Sequence, residues 1–253
     1  MALFQVFDER AHHGMTTTQI LQDGSRYDAV WGGSRASSWK DSHPSMLVSL
    51  YFIQEQDWIQ AGGHNLAWWR SNHPDWILYA CDGSGAPTHQ IAYMHGETNV
   101  PLDIHNPAVG DYQIRQTFAP YAIAHNYNAL SVDEVFFNNV MGKDLGPGYF
   151  GCGVWKNGSF IRRYNAINDP QWSSDTAAWV KAAKSIMTSD PVIGRHHLAL
   201  IVNHPPSNVS SANEQELLAN VDVLLDEAGF SMYGNYPSDP HYFKATLDYM
   251  IYA

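Results

Sequence analysis

Residues 101–139, PLDIHNPAVGDYQIRQTFAPYAIAHNYNALSVDEVFFNN, decide the fold. Residues 101–104 read as a short extended lead-in. Asn106 then offers a side-chain cap, and Pro107 fills the first helical position, where a missing N–H costs nothing. Asn126 and Asn128 mark where that helix stops. The apolar run 129–137 follows, with Asp133 and Glu134 in its middle, where a buried strand avoids charge. This order predicts a β-α-β unit whose second strand carries acid.

Working outward, the same alternation extends in both directions. Upstream, residues 3–7, 27–31 and 46–53 (MLVSLYFI) read as strands, with weak helical character over 16–22. Residues 76–81 (WILYAC) read as the next strand, ending in the Asp82-Gly83-Ser84-Gly85 loop. Downstream, residues 138–174 are too long for a plain connection and contain Asn157-Gly158, a strong hairpin signal. Trp179, Ala182, Ala183, Ile186 and Met187 then fall on one helical face, which Asp190-Pro191 ends. Residues 198–202 and 221–225 read as strands, separated by a helix that Ser211 and Glu214 open as a capping box. Asp239-Pro240 opens a last helix.

Alternation of this kind gives a parallel sheet with helices outside, and a chain of 253 residues suits a single (β/α)8 TIM-type barrel over 1–253 with a hairpin-bearing insertion at about 138–174. Seven strands can be counted, so the barrel is expected to be incomplete at its C-terminal end. An apolar share of 45% with 15% charged residues supports a sizeable core. The net charge of −11 argues against duplex nucleic acid or an anionic membrane as partner, since both reward a basic face. No run approaches a membrane span, and no signal-peptide pattern is visible in the first residues. Two cysteines, Cys81 and Cys152, neither require nor exclude one bridge.

In a parallel barrel, chemistry sits at the C-terminal ends of strands. Asp82, Asp133 and the Asp226-Glu227 pair all occupy such places. Two carboxylates across a barrel mouth are what glycosidic bond cleavage needs, one as general acid and one as nucleophile or base. Alternation puts Asp133 on the side of the small residues Ala129 and Ser131, facing inward, and leaves Glu134 as an outward neighbour. Parity does not choose between Asp226 and Glu227; Glu227 lies one residue nearer the mouth. Asp82 and Asp226 equally suit the role of caps for following helices. Residues on or after strand ends complete the expected substrate contacts: Trp31, Tyr79, Asp82, His105, Asn138, Trp155 and Asn203. Of the tryptophans, Trp155 on the inserted hairpin is the best placed to stack on a sugar.

Thirteen histidines invite a metal reading. His12-His13 and His196-His197 are adjacent pairs, without the spacing that puts two imidazoles on one ion, so no metal or other cofactor is expected. His105 and His204 follow strands and suit hydrogen-bond donation. Gly83 and Gly85 form only GxG, too little for a nucleotide loop.

The segments PLDIHNPAVGDYQIR, HNYNALSVDEVFFNN and VDVLLDEAGFSMYG resemble the glycoside hydrolases of the α-galactosidase-like barrel superfamily, polygalactosaminidase-type enzymes among them. The resemblance covers about a third of the chain. It implies a TIM-type barrel, a secreted protein, a carbohydrate substrate, Asp133 as nucleophile or base, and Glu227 or Asp226 as general acid. Asn128-Ala129 departs from the Asp-Gly or Asp-Ala usual before that strand. A non-catalytic carbohydrate-binding barrel and a metal-dependent hydrolase are the alternatives.

Overall fold

A computed structural model describes residues 6–9, 16–205 and 208–225. In chain order the strands are β1 Val6–Asp8, β2 Ala29–Trp31, β3 Leu47–Ile53, β4 Gln56–Asp57, β5 Tyr79–Cys81, β6 Pro87–Ile91, β7 Val100–Pro101, β8 Ala129–Asp133, β9 Phe150–Lys156, β10 Ser159–Arg162, β11 Ala199–Asn203 and β12 Val223–Leu225. The helices are α1 Thr17–Asp23, α2 Ala36–Ser42, α3 Leu66–Asn72, α4 Pro107–Tyr112, α5 Ala119–Ala124, α6 Pro170–Ser189 and α7 Ala212–Leu218. A π-helical turn, Gln113–Phe118, joins α4 to α5 without a break.

Six strands, in the order β1-β2-β3-β8-β11-β12, form one sheet in which every pair is parallel. This α/β sheet is what the described residues contain of the expected eight-stranded barrel. At its centre, β3 and β8 pair from Ser49↔Ala129 to Ile53↔Asp133. Period-two alternation sends Leu50, Phe52, Leu130 and Val132 to the helical side, where Phe52 stacks on Phe118 at 3.8 Å and meets Trp179 of α6. The opposite face carries Ser49, Tyr51, Ala129, Ser131 and Asp133. The Asn106 side chain caps α4 by accepting from the Ala108 N–H, and Pro107 follows it as the sequence predicts.

Two expectations need correction. Residues 76–81 do not supply a barrel strand: β5 lies in a separate antiparallel sheet, β10-β9-β5-β6, between the insertion hairpin and β6. A short apolar run carries no mark of its pairing direction, so the sequence could not separate the two. The Cys81–Cys152 disulfide ties β5 to β9. The hairpin itself forms at Asn157-Gly158, both with positive φ (52° and 77°), as a two-residue primed turn requires. The second correction is the strand at 129–137. It ends at Asp133, because Glu134 adopts φ 54° and leaves the extended conformation. Asp133 is therefore a strand terminus and not the middle of a longer strand.

Among the described residues, no helix is long and apolar enough to cross a membrane. The expected helix at Asp239-Pro240 lies outside the described residues.

Candidate active site

Asp133 closes the central strand β8 at the C-terminal edge of the parallel sheet. Its neighbours on both sides aim donors at it. Tyr51 from β3 donates its hydroxyl to Oδ2 (2.5 Å), Asn203 from β11 donates Nδ2–H to Oδ1 (2.7 Å), and the Glu134 backbone N–H also donates to Oδ1 (2.8 Å). Three donors converging on one side chain hold a carboxylate in a fixed orientation. Trp31 at the end of β2 and Trp58 beyond β4 both contact the Tyr51 ring edge-to-face, at 5.8 and 5.4 Å. The result is a half-buried carboxyl at the rim of an aromatic wall.

The residue after it does not play the outward, structural part that alternation gave it. Glu134, turned by its positive φ, contacts His95 through Oε1, while Lys143 Nζ stands 3.8 Å from Oε2 and 3.1 Å from His95 Nε2. His95 also has positive φ (62°). Two non-glycine residues in this conformation, in contact with each other beside a strand end, are the kind of local strain that concentrates at functional sites.

Behind this cluster lies the polar stretch 54–57, which directly follows β3. Gln54, Glu55, Gln56 and Asp57 are all fully buried. Gln113, in the π-helical turn, donates Nε2–H to the carbonyls of Gln54 and Gln56, and Gln54 and Gln56 donate to the carbonyls of Thr176 and Met94. Asp57 accepts from Trp69 Nε1 (2.7 Å) and the His64 N–H (2.5 Å). Glu55 differs from the others, since among the described residues neither of its carboxyl oxygens has a hydrogen-bond partner. Burial pushes its carboxyl well above the usual range, and the nearby charges of Glu134 and Asp133 push in the same direction.

The structure brings together Asp133, Asn203 and Trp31 of the residues predicted from sequence, and adds Tyr51, Trp58, Glu55, Glu134, His95 and Lys143. A signal for Tyr51 was present: it shares parity with Ser49 and Ile53 in the strand that pairs with β8. Among the described residues, no direct hydrogen bond joins His105 to that group; its Nδ1 stands 2.9 Å from Asp175 Oδ2. Asn138 is exposed beside the buried Asn139. Asp82, Tyr79 and Trp155 belong to the antiparallel sheet and not to the parallel-strand mouth. The Asp82 carboxylate binds the Ser84 and Ala86 N–H groups and the Ser84 hydroxyl of its own turn, which hold it below the usual range. Trp155 donates to the Thr88 carbonyl, and His89 stacks on its ring at 4.3 Å, so one of its faces is covered. Asp226 and Glu227 lie outside the described residues.

Ser211 caps α7 through the Glu214 N–H, but the Glu214 carboxylate is drawn to the buried His204, 3.1 Å away, and the two are shielded from solvent. Among the described residues, no three His, Cys, Asp or Glu side chains are grouped to hold a metal ion.

No protein-family model and no curated protein sequence matches the chain. Solved structures with a similar fold include an alpha-galactosidase from Thermus thermophilus in complex with stachyose (TM-score 0.46, 12% identity, 87% of this chain and 43% of that one). Another is a GH36 alpha-galactosidase variant from Geobacillus stearothermophilus in complex with raffinose (TM-score 0.47, 10% identity, 88% of this chain and 30% of that one). A third is a cycloisomaltooligosaccharide glucanotransferase from Paenibacillus sp. in complex with cycloisomaltoheptaose (TM-score 0.45, 11% identity, 88% and 26%). The chain spans less than half the length of each of these. At these scores and identities nothing about its chemistry follows from them.

Proposed function

We propose that this chain is a glycosidase domain that hydrolyses O-glycosidic bonds in an oligo- or polysaccharide, with Asp133 as nucleophile or general base. The observation that carries the reading is the placement of one carboxylate at the end of the central parallel strand, held by donors from the strands on either side. That arrangement pre-organises a charge at the mouth of the sheet, where a reacting sugar can approach. Trp31 and Trp58 supply an apolar wall of the sort that sugar rings stack on.

The second carboxyl is Glu227, or Asp226 beside it, on the segment that follows β12. β12 pairs in parallel with β11, and its last residue, Leu225, sits opposite Asn203 at the same edge of the sheet as Asp133. Asn203 and Trp31 line the substrate. The Cys81–Cys152 disulfide suits an oxidising, extracellular location. Asp133→Asn removes the charge and keeps the shape, so it should abolish turnover on a polysaccharide panel while the unfolding transition stays in place. Unchanged turnover would end the proposal. A separation of about 5 Å between the Asp133 and Glu227 carboxyls goes with retention of configuration and about 6.5–9.5 Å with inversion.

A non-catalytic carbohydrate-binding domain is the second reading, favoured by the aromatic wall itself. In that case Asp133→Asn would leave glycan affinity unchanged and Trp31→Ala or Trp58→Ala would reduce it.

A further inference from the structure

His105 is about a third exposed, yet it is held by more protein than a surface side chain needs. Its Nδ1 faces Asp175 Oδ2 at 2.9 Å. The Asp175 carboxylate also accepts from the Tyr164 hydroxyl (3.0 Å) and from Gln171 Nε2 (2.8 Å). Two residues before His105, the fully buried Asp103 pairs with Arg163 at 2.9 Å, and its backbone carbonyl accepts the Asn106 N–H (3.0 Å), closing a tight turn around the histidine. Burial raises the Asp103 carboxyl despite Arg163, so a buried acid is retained here at a cost. Because a carboxylate only accepts, the proton of neutral His105 must sit on Nδ1, and Nε2 carries a lone pair. No hydrogen bond within the described residues reaches Nε2.

The location is informative. Leu102 N–H donates to the Glu55 carbonyl (2.8 Å), and Gln54 Nε2 donates to the carbonyl of Thr176, the residue after Asp175 (3.1 Å). Gln54 N–H in turn reaches the Asp133 carbonyl (3.5 Å). Both halves of the His105–Asp175 pair are therefore tied to the two residues just beyond β3, at the same edge of the sheet as Asp133. We propose that His105 is a hydrogen-bond-accepting subsite for a hydroxyl of the ligand, held in the Nδ1–H form by Asp175. This reverses the donor role that sequence position suggested, and it rests on the carbohydrate reading above. The titratable groups facing His105 are Asp103, Arg163, Tyr164 and Asp175.

The test has a ligand-free arm and a ligand arm, both read by imidazole nitrogen NMR on the full chain. Without ligand, neutral His105 should show the Nδ1–H tautomer, and Asp175→Asn should shift it toward the mixed state. An Nε2–H tautomer in the native protein overturns the proposal, and does so with no reference to any sugar. With a panel of methyl glycosides, the His105 Nε2 signal should move on titration. His105→Ala should weaken binding about tenfold, the worth of one hydrogen bond. Glycoside-induced shifts at Trp31 and Asn203 with none at His105 would refute the subsite while leaving the carbohydrate reading in place. No response at any of the three would sink both.

Discussion

Glu55→Gln separates a buried carboxyl from a buried amide, and its effect can be worked out before it is measured. In the fold, burial holds the Glu55 carboxyl well above its ordinary 4.5, so the native state keeps a proton that the unfolded chain has released. With the native state binding more protons, stability must fall as pH rises above 4.5, by about 1.4 kcal/mol per pH unit for one such group, until Glu55 itself ionises in the fold. Stability from this group is therefore complete below 4.5 and lost on the alkaline side. Asp57 and Asp103 are raised by burial in the same sense and steepen the slope of both proteins alike. The lowered carboxylates, Asp82 and Asp169, act only below their ordinary 3.8 and leave this window untouched. Glu55→Gln removes one proton from the balance, so as pH rises above 4.5 the gap between variant and native stability should widen in favour of the variant, by up to about 1.4 kcal/mol per pH unit, until Glu55 ionises in the fold. In a chain of this size a difference of about 1.4 kcal/mol is roughly 3–6 °C in melting temperature. Urea unfolding followed by tryptophan fluorescence at four pH values gives the slopes directly. Parallel lines for the two proteins would refute the reasoning, whatever their offset, because an offset can arise from amide packing and a slope difference cannot.

Three further outcomes can be checked. Tyr51→Phe takes from Asp133 the hydroxyl donor that β3 supplies, and loss of a hydrogen bond to a charged group should lower kcat/KM by about ten- to a hundredfold on any substrate the protein turns over; steady-state kinetics reads this. Reducing the Cys81–Cys152 bridge, which spans a sequence separation of 71, should destabilise the protein by about 4 kcal/mol on loop-closure grounds, seen in denaturant midpoints with and without reductant. Gly110→Ala places a methyl 2.8 Å from the Trp179 ring where α4 crosses α6; overpacking of about 1–3 kcal/mol should outweigh the gain of up to about 1 kcal/mol from helix propensity, and thermal melts would show the net loss.

What could be read from sequence, and what could not, divides along a physical line. The β3 and β8 strands, the Asn106-Pro107 cap, the Asn157-Gly158 turn and the buried face of α6 were legible because each is encoded locally, by periodicity or by a residue that suits one backbone conformation. Asp133 was legible for a related reason: a charge in an apolar run is costly unless it is used or paired, and Tyr51 and Asn203 are its partners. Glu55 was invisible to the same logic. A polar stretch after an apolar strand reads as solvent-facing, and only the distant side chains of Gln113 and the backbone of Thr176 and Met94 make its burial tolerable. The direction of β5 was lost for want of length, since three apolar residues fit either a parallel or an antiparallel neighbour. Parity nevertheless continues past the end of β3: Ser49, Tyr51, Ile53 and Glu55 fall at successive odd positions, and the first two occupy the face that carries Asp133. Followed two residues beyond the apparent strand end, the alternation that turns Asp133 inward also puts Glu55 among the candidates, and burial then supplies the reason its carboxyl is pushed above the usual range.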